Sequence, residues 1–141
     1  MVDYKTLTDH GNPKPTIPKP KKRQVPAVLT VQDGLPVIYG AGTEPTCGVR
    51  VVHPSNPKAP SKFHSVVMLY VPPHAKLDLH SHEAEETYSV ISGTGVLMFW
   101  NGTREIGPGH FIFLPSWCEH GIENTGKDML VVLLSTAPPN P

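Results

Sequence analysis

His80-Ser81-His82 sets two imidazoles at i and i+2, and Glu86 follows four residues after the second. On a strand, residues two apart point to the same face, so the two rings would stand side by side. A turn over Glu83-Ala84-Glu85 would deliver Glu86 to the start of a neighbouring antiparallel strand, its carboxylate beside both rings. Two neutral imidazoles and a carboxylate suit a first-row divalent ion. His120, which follows another strand ending at Pro115, is a candidate fourth ligand. The face carrying Lys76, Asp78, His80 and His82 is polar throughout. If it looks into a barrel it is a site, because buried polar groups must be paired. If it looks at water it is an ordinary solvent face. On this spacing alone the two readings stand level.

Such residues need strands to hold them. The alternation predicts short strands over Val49–His53, His64–Val71, Ala75–His82, Thr87–Ile91, Gly95–Trp100, His110–Leu114, Gly121–Asn124 and Met129–Ser135. Ser65, Val67, Leu69 and Val71 share one face, and Leu77 and Leu79 oppose the histidine face. Spacing of about 8–12 residues with Gly, Pro and Asn between is the pattern of an all-β sandwich or barrel. Residues 12 to 26 hold five prolines and read as an extended arm. Residues 1–35 are therefore expected to be a basic, Pro-rich arm, and residues 36–141 one β domain.

Composition excludes several classes. In 141 residues, 12 Lys and Arg balance 12 Asp and Glu, so no global charge calls for nucleic acid. The longest apolar runs, Val66–Val71 and Met129–Leu134, are six residues, against about 20 for a membrane span. The Met-Val-Asp-Tyr-Lys segment lacks the apolar stretch of a secretory signal, so none is expected. Two cysteines make no disulfide framework, and a reducing, cytoplasmic setting is expected. The basic cluster Lys19, Lys21, Lys22 and Arg23 is better explained by a solvated arm that adds an edge strand to a partner than by nucleic-acid binding. Val25, Val28, Leu29 and Val31 could supply that strand, which predicts a homodimer.

The run from His80 to Gly93, H-S-H-E-A-E-E-T-Y-S-V-I-S-G, resembles the first cupin motif, H-x-H-x3-4-E-x6-G. The run from Gly109 to Asn124, G-H-F-I-F-L-P-S-W-C-E-H-G-I-E-N, resembles the second, G-x5-P-x-G-x2-H-x3-N. They stand in the right order, 15 residues apart. Two glycines of the pattern are replaced, one by His74 and one by Trp117. The resemblance implies a small jelly-roll-like β-barrel holding one divalent ion through His80, His82, Glu86 and His120. Iron or manganese is favoured, and zinc or nickel also accepts this set. Gly93, Gly109, Pro115 and Asn124 would be structural.

Tyr88, two after Glu86, should share the inward face. It either fills the core or serves a bound substrate as a proton donor or base, a role supported by the resemblance to small cupin lyases. Lys76 and Asp78 extend the histidine face and could bind a carboxylate or carry a proton. Trp100 and Trp117 either wall the pocket or pack ordinarily. Cys118 either points at the metal or is an inert thiol, the more usual state. Arg104 is expected in a hairpin turn. The implied activity is metal-dependent chemistry on a small oxygenated molecule: lyase, isomerase, decarboxylase or dioxygenase. The alternative is a non-catalytic metal- or ligand-binding cupin, a sensor or carrier. A storage role ranks below both.

Overall fold

Branched and aromatic residues fill the alternating segments, and in the computed structural model these become strands. It describes residues 16–40 and 46–139; the first part of the expected arm, with His10, lies outside the described residues. The strands are β1 (Leu35–Tyr39), β2 (Thr46–Val52), β3 (Ser65–Val71), β4 (Lys76–His80), β5 (Glu85–Ser92), β6 (Gly95–Phe99), β7 (Gly102–Ile106), β8 (Phe111–Leu114), β9 (His120–Glu123) and β10 (Leu130–Ala137). They form an antiparallel six-stranded sheet, ordered β1-β2-β3-β10-β5-β8, and a four-stranded sheet, ordered β4-β9-β6-β7. Among the described residues no helix is long and apolar enough to cross a membrane.

The expected alternation on β3 holds: Ser65, Val67, Leu69 and Val71 are buried, their neighbours less so. With Val90, Val132 and Leu134 from the same sheet, and Leu97, Ile106 and Ile122 from the other, they form one core. Antiparallel partners share a face, so the register defines rows across the sheet. One row runs Arg50, Val67, Leu134, Tyr88 and Ile112. The next, toward one end of the barrel, runs Ser65, Thr136, Glu86 and Leu114.

Two strands escape the periodic reading. β1 carries a proline and straddles the expected boundary at residue 36. Proline is tolerated there because β1 is an edge strand. β7, Gly-Thr-Arg-Glu-Ile, is an exposed edge strand with little apolar alternation, so Arg104 lies on a strand rather than in a turn. Charged side chains on an edge discourage pairing with another chain. Residues 16–30 form no strand with this chain's own sheets. The arm enters β1 through a 3-10 turn at Val31–Asp33, where the Thr30 amide donates to Asp33 (2.8 Å) and Lys58 pairs with the same carboxylate (2.7 Å).

The two positions that break the motif glycine pattern still take up the backbone a glycine would. His74 has φ 70° and Trp117 φ 64°. Each is the third residue of a tight turn: the Ala75 amide donates to Pro72 O (3.0 Å), and the Cys118 amide to Pro115 O (3.0 Å). Positive φ at that position is the mark of a type II turn, in which glycine is the usual occupant. A side chain there costs about 1–2 kcal/mol. His74 is exposed, so its imidazole can be removed without opening the core. His74→Gly should raise the melting temperature by about 2–5 °C. His74→Ala, which keeps the β-carbon, should leave it nearly unchanged; calorimetry on both variants checks this.

Candidate metal centre

β4 does not keep its alternation. Leu77 faces Ile122 of β9, yet His80 faces His120, so Asp78 and Leu79 together oppose Gly121 alone. That is a β-bulge, which inserts one residue and flips the parity of the residues after it. Leu77 therefore packs against the core, and His80, three residues on, also turns inward to the cavity. The bulged strand presses on Gly121: a β-carbon there would lie 2.7 Å from Leu77 O.

His80 ends β4, His82 sits in the loop after it, Glu86 is the second residue of β5 and His120 opens β9. The imidazole nitrogens that His80, His82 and His120 offer lie within 4.8 Å of one another. Their other nitrogens are all engaged. His80 Nδ1 donates to Asp78 O (2.7 Å), His82 Nδ1 to Ala84 O (2.9 Å) and His120 Nδ1 to Cys118 O (2.7 Å). A carbonyl only accepts, so each Nδ1 carries the proton and each Nε2 keeps a lone pair. Burial, then the neighbouring His120 and His82 rings, hold His80 below the ordinary value of 6.5, outweighing the carbonyl bond and Glu86.

Two of the Nε2 atoms meet Glu86. Its Oε1 lies 3.1 Å from His120 Nε2 and 3.4 Å from His82 Nε2. Glu86 and His120 are almost wholly buried. Among the described residues His82 Nε2 is buried and makes no hydrogen bond. Three lone pairs and a carboxylate turned toward one another repel unless a positive charge stands among them. This donor set fits a first-row divalent cation.

The centre lies on the wall of a cavity of about 370 Å³, in the usual range for small-ligand sites. Leu77, Leu134, Tyr39 and Tyr88 supply its largely apolar lining, with Ser81, Gly40 and the two loop-side histidines. Tyr88 is buried, edge-on to His120 with ring centres 5.8 Å apart. Burial, then the Glu86 charge and a hydrogen bond to it, push the phenol well above its ordinary value of 10.

The Cupin domain family model matches residues 67–136. The chain is a cupin-domain protein. An uncharacterized protein of Methanocaldococcus jannaschii is 34% identical over 76 residues, 53% of this chain and 61% of that protein. The chain thus matches about three-fifths of its curated relative's length. Two crystal structures share the fold at low identity. One, from Thermotoga maritima, is described as a predicted oxalate decarboxylase: TM-score 0.67, 23% identity, covering 78% of this chain and 97% of that one. The other is the polyketide cyclase RemF of Streptomyces resistomycificus: TM-score 0.68, 20% identity, covering 80% of each chain.

Within this cupin the sequence reading of Lys76 and Asp78 is corrected. The bulge separates them from the histidine face. Both are exposed, they pair with each other at 3.3 Å, and neither lines the cavity. Leu79, expected to share a face with Leu77, is instead exposed because of the bulge. Trp100 and Trp117 are also exposed and do not wall the cavity. The Trp117 amide instead donates to His82 O (2.8 Å), fixing the histidine loop. Cys118 is outside the ligand cluster; its carbonyl, not its thiol, serves His120. Asn124 is fully buried and ties β9 to its surroundings through Val71 O (2.7 Å) and Asp128 O (2.8 Å).

Tyr39 was missed because its strand was missed. Gly121 was missed because a glycine facing a bulge looks, in sequence, like any turn glycine. Gly121→Ala should displace the bulge and with it His80. Chelator-competition titration with cobalt should show affinity reduced about 10-fold or more. The His80→Ala, His82→Ala double variant should lose stoichiometric binding, and full cobalt occupancy in it would contradict the assignment.

Proposed function

We propose that this cupin is a metal-dependent enzyme acting on a small oxygenated organic molecule, through lyase, isomerase, decarboxylase or dioxygenase chemistry. The observation that carries it is the convergence of His80, His82 and His120 Nε2 with the Glu86 carboxylate on the wall of a ligand-sized cavity. These four residues would hold one divalent ion, iron or manganese ahead of zinc or nickel. Bound there, the ion would supply Lewis-acid polarisation of a substrate oxygen. The chain's own contributions are distinct. Leu77 and Leu134 exclude water, and Tyr39 and Tyr88 add ring faces to the wall. Tyr88 holds a proton against Glu86, where it can orient that carboxylate or deliver the proton to a substrate. The predicted decarboxylase and the polyketide cyclase lend the enzymatic reading support by fold alone.

Elemental analysis of natively purified protein, followed by a panel of small acids, ketones, phenols and sugars with and without oxygen, tests the proposal. About one metal per chain and turnover of a panel member are expected. Metal with ligand binding but no turnover would favour the sensor or carrier. On the substrate so found, Tyr88→Phe should keep metal and fold while turnover falls about 10²-fold; a wild-type rate would make Tyr88 a packing residue only.

We also propose a homodimer in which the arm reaches a second copy. Val25 and Val28 are 86% and 94% exposed, so their segment is free to add to a sheet edge of a second copy. Deleting residues 1–30 should weaken the dimer in light scattering at micromolar concentration. A monomeric full-length protein would contradict the proposal.

A further inference from the structure

Arg50 is the charged member of β2, Thr-Cys-Gly-Val-Arg-Val-Val. It pairs with Val67, Val67 with Leu134, and Leu134 with Tyr88. Paired residues share a face, so Arg50 stands in the same inward row as two residues that line the cavity. Two strand spacings, about 10 Å, separate its strand from that of Leu134. The side chain is half-buried, its Nε is fully buried and, among the described residues, that nitrogen makes no hydrogen bond. Among the described residues it has no carboxylate partner; the ion pairs are Lys58–Asp33, Lys76–Asp78 and the two histidines with Glu86. What it does have is Tyr39. Burial raises the Tyr39 phenol and the neighbouring Arg50 charge opposes that rise. The Tyr39 ring lies over Gly48, where a β-carbon would clash with it, and also forms part of the cavity wall.

A guanidinium turned inward normally has a carboxylate or phosphate partner, because its charge loses hydration and its fork of donors is left unfilled. Among the described residues no carboxylate pairs with Arg50, and Tyr39 beside it is a neutral phenol. The cavity beside the metal centre is walled mainly by leucine and tyrosine, and Tyr39 is the part of that wall next to Arg50. We propose that Arg50, with Tyr39, anchors the carboxylate of a small organic acid whose apolar body fills the cavity and whose far end reaches the His80–His82–Glu86–His120 centre. This names the substrate class of the proposed enzyme and rests on that reading of the cavity. A planar carboxylate accepts two parallel bonds from arginine, which a lysine cannot reproduce. The neutral amide of the same acid would meet the guanidinium without a charge to offer it.

The test measures binding of phenylacetate and of phenylacetamide by calorimetry. Cobalt-loaded full-length protein and chelator-treated protein are compared, with metal content assayed in each. Wild type should bind phenylacetate at least 10-fold more tightly than the amide. Arg50→Met should bring that ratio near one while metal content stays at the wild-type level. Arg50→Lys should weaken phenylacetate about 10-fold and Tyr39→Phe several-fold, and these two variants carry the test if Arg50→Met does not fold. An unchanged preference in Arg50→Met, unchanged phenylacetate affinity in both Arg50→Lys and Tyr39→Phe, or no preference in wild type would overturn the assignment. Failure of the metal reading looks different. Metal would be missing from wild type, while the Arg50-dependent preference would persist in both preparations.

Discussion

Three imidazole lone pairs and a carboxylate cannot be gathered inside an apolar barrel without something holding them there. Glu86 Oε1 stands 3.1 Å from His120 Nε2, both almost wholly buried. Such groups left uncompensated cost several kcal/mol. The structure resists their separation through short local bonds. Each histidine gives its Nδ1 proton to a carbonyl only two residues away, at Asp78, Ala84 and Cys118. The tautomer of each ring is thus written into the path of its own loop, and the ring cannot turn without breaking that bond.

Those paths are unusual, and the departures from regular structure gather around them. The bulge in β4 turns His80 inward and needs Gly121 opposite. The turn at Pro115–Cys118 holds Trp117 at positive φ, and its amide fixes the His82 carbonyl. The turn before β4 holds His74 at positive φ, with its amide bonded to Asn124 O (3.0 Å). A sequence optimised only for stability would hold glycine at both turn positions. Backbone strain gathered beside a polar centre is a common companion of function.

The sequence made the six-stranded sheet's core strands legible because their alternation is unbroken, as on β3. It made the three-histidine cluster legible because the spacing of His80, His82 and His120 carries the cupin pattern. It misled where a single inserted residue changes parity. Read as regular, β4 puts Lys76 and Asp78 with His80; bulged, it puts them in water. Periodicity is blind to this, since a bulge adds a residue without changing composition. β1 and β7 were hidden for the opposite reason: as edge strands they are free of the demand for alternation that burial imposes. Arg50 was the readable signal left unread, a charge in an otherwise uncharged strand.

The donors do not all come from one sheet. His80 and His120 belong to the four-stranded sheet, Glu86 to the six-stranded sheet and His82 to the loop that crosses between them. The core on either side is apolar and non-directional, and it sets no fine register between the sheets. The four donors do set one. A cation held there would tie the sheets at one end of the barrel, so its binding free energy would also be folding free energy. Metal affinity and barrel stability are then two measures of one interaction. The strain at His74 and Trp117 is tolerable on the same ground, because the loops it shapes close around the point that joins the two sheets.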